Sequence, residues 1–203
     1  HHAGRDFFGG YCFLNNAALA AQAPRAAGHA RVAIVDVDYH PGNGTQSVFY
    51  QRADVLTVSL HGDPVTEYPF YLGYADERGE GEGEGFNLNL PLPRGTPFAA
   101  WRRELDVALD AVARSGASAL VVALGVDTYK ADPISSFPLE SSDFTTLGRL
   151  LAATRDRRPA GDLPLCRRRS RRSGAGQAPA FGSGARPSAA WGDGHRHYEH
   201  PAH

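Results

Sequence analysis

A single stretch, Arg31-Val-Ala-Ile-Val-Asp-Val-Asp-Tyr-His40, indicates the fold. It begins as a continuous apolar run, which is typical of a parallel strand covered on both faces. Two later segments, 54–60 and 117–125, have the same apolar character. Because such strands need a helical layer on each side, we predict an α/β domain with three layers, α/β/α, and a mainly parallel sheet.

Three segments have the pattern of helices that pack against this sheet. Between the second and third strands, Pro97–Ser115 repeats apolar residues at three- and four-residue steps, with Thr96 as the expected N-cap. Further helices are predicted at about 16–27 and 142–154. The alternation of strands and helices places any ligand site beyond the carboxyl ends of the strands.

Polar residues follow two of these strands. Asp36, Asp38 and His40 lie at i, i+2 and i+4, so strand alternation points them to one side. Asp127 follows the segment 117–125. Two carboxylates and one imidazole at this edge predict a three-ligand site with an open position for Zn²⁺, with Fe²⁺ or Co²⁺ as alternatives. The other interpretation of the Asp-x-Asp-x-His string is loop polarity or capping.

The chain opens on His1-His2, two adjacent imidazoles. Imidazoles are candidate general bases or acids because their ordinary pKa lies near neutral pH. The alternative is the remnant of a purification tag. The motif that follows, Gly9-Gly-Tyr-Cys-Phe-Leu-Asn-Asn16, favours the functional interpretation.

Composition limits the class of protein. The 203 residues include 42% hydrophobic residues and 21 Lys+Arg against 22 Asp+Glu, which is typical of a globular chain. No apolar run reaches membrane-spanning length and no secretory signal is visible, so we expect a cytoplasmic protein without membrane association. The two Cys residues fit a reducing compartment. The absence of Met leads us to expect a fragment.

Residues 155–203 differ in kind from residues 1–154. They contain ten Arg against four acidic residues, with two Leu and neither Ile nor Val. A segment of this composition cannot bury enough apolar surface to order itself. Three interpretations stay open: a basic arm for nucleic acid, a disordered tail, or a reading-frame slip in a GC-rich gene.

Taken in order, five motifs resemble the histone deacetylase superfamily. They are His-His-Ala, Gly-Gly-Tyr-Cys-Phe-Leu-Asn-Asn, Asp-Val-Asp-Tyr-His-Pro-Gly-Asn-Gly-Thr-Gln, Ser-Leu-His-Gly-Asp-Pro and Leu-Gly-Val-Asp-Thr-Tyr. Within it, the segments around Ser59 and Asp127 look most like bacterial acetylpolyamine amidohydrolases. The resemblance implies an arginase/deacetylase-like fold, incomplete at both ends, with a partial catalytic domain at 1–154.

The resemblance also implies roles for individual residues. The zinc ligands implied are Asp38, His40 and Asp127. His1 and His2 match a tandem pair, one acting as general base and acid and the other mainly electrostatic. Asp36 would orient an active-site His and help to hold a structural K⁺ or Na⁺, together with Ser59 and the backbone of Leu60; Phe49 and Val55 match a second such cation site. The substrate-binding residues implied are Gly10, Tyr11 and Tyr68.

The implied activity is zinc-dependent hydrolysis of the acetyl amide of acetylated polyamines or related acetylated amines. The alternatives are a protein acetyl-lysine deacetylase and a non-catalytic metal-binding remnant with a nucleic-acid-binding tail, although nucleic acid is not the expected partner. A homodimer is expected for an intact parent. The tyrosine that donates to the oxyanion in the family should fall near Cys166, where the Arg-rich tail stands instead, so we expect weak or no activity from this chain.

An acidic segment adds a further hypothesis. Its carboxylates could steer cationic substrates toward the site, or could simply face water. They are Glu67, Asp76, Glu77, Glu80, Glu82 and Glu84. His61 and Asp63, which follow the second strand, are left without a role.

Overall fold

The structure, a computed structural model, describes residues 1–156. In this part of the chain strands alternate with helices. The strands are β1 (Val32–Asp36), β2 (Val55–Gly62), β3 (Asn87–Leu92) and β4 (Ala119–Ala123). The helices are α1 (Asn16–Ala26), α2 (Asn43–Phe49), α3 (Phe98–Ser115) and α4 (Ser141–Ala152), with short 3-10 turns at Gly81–Gly83 and Ala153–Asp156.

The four strands form one parallel sheet in the order β3-β2-β1-β4. The last residue of β1, Asp36, lies opposite Ser59 of β2 and Ala123 of β4. The carboxyl ends of β1 and β4 therefore lie side by side, and the residues that follow them emerge at the same edge. The predicted parallel sheet is confirmed.

Alternate residues of β1 face two separate apolar layers. Val32 and Ile34 pack with α1 and with Phe49 of α2. Ala33 and Val35 pack on the other face with α3 and with Leu147 of α4. Each fully buried leucine or valine in these layers contributes about 1.5–3 kcal/mol of hydrophobic free energy. Helices cover both faces of the sheet, so the predicted three-layer α/β/α architecture is confirmed.

Helix α3 begins one step later than its sequence suggests. Its N-cap is Pro97 in extended conformation, and Thr96 instead directs its hydroxyl to the carbonyl of Pro93 at 2.6 Å. Thr96 as N-cap is therefore wrong, because its hydroxyl is used within the preceding turn. Gly116 ends the helix in left-handed conformation at φ 73°, where a residue without Cβ is favoured.

Two elements near the site, α2 and β3, are not predicted by the sequence patterns. Helix α2 contains only seven residues, too few for a clear 3.6-residue period. Strand β3 carries Asn87, Asn89 and Pro91, which are uncommon in strands. Within residues 1–156, no helix is long and apolar enough to cross a membrane. The expectations for the Arg-rich tail fall almost wholly on residues outside this range.

Candidate active site

The three predicted metal ligands come together at the carboxyl edge of β1 and β4. One donor atom from each of Asp38, His40 and Asp127 lies within 4.8 Å of the others. His40 Nδ1 is 2.9 Å from Asp127 Oδ2 and 3.2 Å from Asp38 Oδ1. The backbone N–H of Tyr39 donates to Asp127 Oδ1 at 2.9 Å, which fixes that carboxylate beside the β1 extension.

The donor set fits a divalent cation. Two carboxylates and one imidazole are the ligands of an open zinc-type site. Burial alone would lower the pKa of His40, but its bonds to Asp127 and Asp38 raise that pKa to about 9. A cation held by the same three side chains competes with this imidazole proton, because ligands must be deprotonated.

Gly125 makes room for Asp38. A Cβ atom at Gly125 would lie 2.1 Å from Asp38 Oδ2 and 2.5 Å from Asp38 Cβ, far inside van der Waals contact. The absence of a side chain at position 125 therefore allows β4 to approach the carboxylate. The sequence contains this glycine in the Leu-Gly-Val-Asp motif, but the pattern alone does not say what the glycine faces.

His1 and His2 lie next to this cluster, with ring centroids 4.0 Å apart. The Nδ1 atom of His1 is 2.7 Å from Asp36 Oδ2, and its Nε2 atom is 3.6 Å from Asp38 Oδ1. Burial opposes the charged imidazolium, but the carboxylate of Asp36 outweighs it and raises the pKa of His1 to about 9. A carboxylate partner therefore favours a protonated His1.

His2 has a neutral partner instead. Its Nδ1 atom lies 2.6 Å from the amide oxygen of Asn43, the first residue of α2. Burial and the neighbouring His1 lower the pKa of His2 to about 4. The imidazole is thus neutral, with Nδ1–H donating to Asn43 and the lone pair on Nε2. Sequence analysis missed Asn43, although it stands inside the Pro-Gly-Asn-Gly-Thr-Gln motif.

Two further polar residues hold the histidine segment in place. The side-chain amide of Asn15 donates to the carbonyl of Ala3 at 2.9 Å and to the hydroxyl of Thr45 at 3.0 Å. The backbone N–H of Thr45 donates to the carbonyl of His1 at 3.1 Å. Asn15 also caps α1 through Ala18 N–H. These contacts connect residues far apart in sequence, so no local pattern reports them.

The predicted substrate-binding residues separate into two groups. Tyr68 packs edge-on against His2, with ring centroids 5.0 Å apart, and lies 6.1 Å from His40. Gly10, at φ 50°, approaches His2 so closely that a Cβ would lie 2.0 Å from the ring. Tyr11 points away from these contacts with 95% of its surface exposed. The structure brings Tyr68 and Gly10 to the histidines but not Tyr11, and the substrate-binding roles of all three stay predictions.

The residues assigned to monovalent cations also lie in two places. Asp36 and Ser59 face each other across β1 and β2 and line one small cavity, and buried Leu60 follows Ser59 in β2. Phe49 and Val55 pack together in the apolar layer below α1, at the other end of β2. Their proposed cation contacts are through backbone carbonyls and stay predictions.

Members of the acidic segment have structural partners; Glu80, for example, accepts from the side-chain amide of Gln51 at 3.1 Å. Glu67 is 7% exposed and accepts a hydrogen bond from Arg94 at 2.9 Å. Glu77 accepts from the backbone N–H of Gly73 at 3.0 Å and from the side-chain amide of Gln46. These contacts fix the chain between β2 and β3, so neither Glu67 nor Glu77 is a simply solvated carboxylate. The expected positions of an oxyanion tyrosine, near Cys166, lie outside residues 1–156.

Comparisons with known proteins match this geometry to a family. The family model for the histone deacetylase domain matches residues 1–162. Acetylpolyamine amidohydrolase 1 of Pseudomonas aeruginosa is 60% identical over 152 residues, 75% of this chain and 44% of that protein. Acetylpolyamine amidohydrolase of Mycoplana ramosa is 54% identical over 154 residues, 76% of this chain and 45% of that protein.

Solved structures agree. The crystal structure of acetylpolyamine aminohydrolase from Burkholderia pseudomallei matches with a TM-score of 0.74 and 51% identity, covering 76% of this chain and 45% of that one. An HDAC homologue complexed with SAHA matches with a TM-score of 0.72 and 32% identity, covering 76% and 42%. The chain spans less than half the length of these relatives. By its motifs, its sheet and its matched residues, the chain belongs to the histone deacetylase domain family.

Proposed function

We propose that this chain carries the metal ligands and the histidine pair of an amidohydrolase that removes the acetyl group from acetylated polyamines or related acetylated amines. The observation that carries the proposal is the position of His1 and His2 beside Asp38, His40 and Asp127. The similarity to acetylpolyamine amidohydrolases supports this substrate class over protein acetyl-lysine.

The metal site would hold Zn²⁺, or Fe²⁺ or Co²⁺, through one atom from each of its three ligands. A divalent cation there polarises the acetyl carbonyl and lowers the pKa of a water molecule. The three side chains keep their positions through the Tyr39 N–H bond to Asp127 and the room left by Gly125. This site therefore does not depend on residues outside 1–156 for its first three ligands.

The two histidines take different roles because their partners differ. Asn43 fixes the Nδ1–H tautomer of His2, so Nε2 has the lone pair that removes the water proton. His1 donates Nδ1–H to the carboxylate of Asp36, which stabilises its positive charge beside the developing oxyanion. His2 then returns the proton to the leaving amine.

Substrate binding is assigned to Gly10, Tyr11 and Tyr68. The Tyr68 ring flanks both His2 and His40, and so can form one side of a narrow approach for an acetylated chain. Gly10 lies next to His2, and its carbonyl, which accepts from the Cys12 thiol at 3.4 Å, would accept the substrate amide N–H. For the cation sites, K⁺ or Na⁺ at Asp36 and Ser59 would support the β1 edge.

The test measures free amine released from N-acetylputrescine and from an acetyl-lysine peptide by the metal-loaded chain. Loss of activity in His2→Ala, with His29→Ala unchanged, is expected; His29 is a partly exposed histidine bonded to Ser118. Faster turnover of the acetyl-lysine peptide contradicts the substrate class. Turnover that persists after metal removal and in His2→Ala contradicts the mechanism.

A further inference from the structure

A small cavity lies between α2 and the sheet, behind the active-site histidines. Its volume is about 10 Å³, the space of about one water-sized sphere. The polar residues that line it include Asp36, Gln46, Thr57, Ser59, Asn87 and Asn89. Asp36 is the acidic side chain among the residues that line it, and it is buried.

The amide N–H groups around the cavity are directed elsewhere. Asn87 Nδ2 donates to Gln46 Oε1 at 3.0 Å and to the carbonyl of Glu77 at 2.6 Å. Asn89 Nδ2 donates to Gln46 Oε1 at 2.8 Å and to the carbonyl of Tyr74 at 3.1 Å. The Thr57 hydroxyl donates to Asn87 Oδ1 at 2.6 Å. Since an amide NH₂ has two hydrogens, Asn87 and Asn89 have no donor left for the cavity.

His61 decides the direction of the Ser59 hydroxyl. His61 is fully buried, and its Nε2 atom lies 2.9 Å from the carbonyl oxygen of Gly73. A carbonyl only accepts, so Nε2 carries the hydrogen. Its ring nitrogens contact a carbonyl and a hydroxyl, both uncharged, and full burial beside uncharged partners favours the neutral ring. Its Nδ1 atom, 2.8 Å from Ser59 Oγ, is then an acceptor.

We infer that His61 is a positioning residue: it makes the Ser59 hydroxyl donate to Nδ1, so that Ser59 presents only lone pairs to the cavity it shares with Asp36. With the amide donors of Asn87 and Asn89 used, the Asp36 carboxylate and the Ser59 lone pairs give the cavity acceptors and negative charge, which a monovalent cation requires. This inference rests on the K⁺ or Na⁺ binding assigned above to Asp36 and Ser59. The added residue, His61, would orient the Ser59 hydroxyl as a cation ligand without contacting the cation itself.

Gly73 completes the arrangement. At φ 98° it adopts the left-handed region, and a Cβ there would lie 2.8 Å from His61 Nε2 and 2.9 Å from Pro41 Cβ. Its N–H donates to the carboxylate of Glu77, which helps to hold the residue whose carbonyl accepts from His61. The segment between β2 and β3 therefore sets the tautomer of a residue beneath the active site.

The first measurement is ¹⁵N NMR of the whole chain labelled at histidine, with His61 assigned by comparison with His61→Asn. A neutral ring with its hydrogen on Nε2 at pH 7 is expected. A hydrogen on Nδ1, or a doubly protonated ring, overturns the inference, and the state of the ring is read in the wild-type chain.

The second measurement follows thermal unfolding during a KCl titration at constant ionic strength, with tetramethylammonium as the replacement cation. We expect the melting temperature of the wild-type chain to rise with K⁺. His61→Leu and Ser59→Ala should weaken the apparent K⁺ affinity at least tenfold. His61→Asn, whose amide oxygen can accept from Ser59, should retain most of it, and His29→Asn all of it.

A wild-type chain that does not respond to K⁺, or a His61→Leu chain with unchanged K⁺ affinity, overturns the inference. Neither measurement depends on turnover. Equal turnover by the wild-type chain and His2→Ala would therefore contradict the proposed function and leave this inference standing, whereas absence of a K⁺ response would do the reverse.

Discussion

The Nδ1 atom of His2 lies 2.6 Å from the amide oxygen of Asn43, whereas the adjacent His1 pairs with a carboxylate. Asn43 is uncharged, so its bond to His2 does not outweigh burial and the neighbouring His1. Together these hold the pKa of His2 near 4. The difference between an amide and a carboxylate thus separates two imidazoles that are neighbours in sequence. This contact gives the first prediction.

Asn43→Asp should make His2 more basic. A carboxylate at this distance favours the imidazolium and raises the pKa of His2 by about one unit or more. Because the free base is the form proposed to remove the water proton, the acidic limb of the pH–rate profile for amine release should move to higher pH. The His2 ring should show the same shift in an NMR titration, which also serves if turnover is low. An unmoved limb and an unmoved NMR titration would contradict the assignment of His2 as the base.

Gly125→Ala should displace the Asp38 carboxylate, since the new Cβ would stand 2.1 Å from Asp38 Oδ2. The expected result is a loss of bound metal, measured by elemental analysis after dialysis. Gly148→Ala is the matched control: Gly148 is an exposed residue in α4 with open space around it, so alanine there should stabilise the fold by about 0.5–1 kcal/mol. Equal metal content in both variants would show that Gly125 does not shape the site.

Asp127→Asn should weaken metal binding by more than the roughly 10–100-fold that changes around a ligand usually cause. The substitution keeps the size of the side chain but removes one of two ligand carboxylates. Competition with a chromogenic chelator measures the affinity. Asp132→Asn, five residues later, is the control, because Asp132 accepts from Ile134 N–H and is not among the grouped ligands. Similar metal affinities for the two variants would exclude Asp127 as a ligand.

Asp54 should make the free energy of unfolding depend on pH in the acidic range. Its bonds to Arg52 and Arg25 lower its pKa to about 2. A depressed folded-state pKa gives stabilisation that is complete above the unfolded value of about 3.9 and is lost as pH falls toward 2. After allowance for solvent screening, the contribution is about 1 kcal/mol.

Urea unfolding of the wild-type chain and of Asp54→Asn measures this contribution. The difference in unfolding free energy should be constant above pH 5 and shrink between pH 4 and 2. A difference that grows on acidification would be the opposite of the expected sign.

Core packing gives a further contrast. Leu105 of α3 is fully buried against the sheet, and Leu105→Ala should cost about 2–5 kcal/mol in the free energy of unfolding. Leu19 of α1 is 58% exposed, so Leu19→Ala should change stability by less than about 1 kcal/mol. Equal losses in chemical denaturation would mean that α3 does not form the core contact described.

The sequence by itself determined those features of this protein that follow from the short-range periodicity of its apolar and polar residues. The apolar run at 32–35 and the three- and four-residue steps of α3 indicated strand, helix and layered class, because burial of one face imposes a period on the residues. The spacing of Asp38 and His40 also indicated a metal site, since alternation in an extended segment puts both on one side. The strand pattern placed Asp127 at the same edge, and the resemblance then identified Asp38, and not Asp36, as the other carboxylate ligand.

Only the tertiary structure decided which partners these residues have. Asn43 reaches His2 across 41 positions of sequence, and Asp127 reaches Tyr39 across 88, contacts that no local pattern encodes. The acidic segment shows the same limit: Glu67 and Glu77 look like solvated charges in sequence, yet Arg94, Gln46 and Gly73 bind them. Hydrogen-bond partners are chosen by the packing of distant elements, and this choice set the difference between His1 and His2 and the direction of the Ser59 hydroxyl.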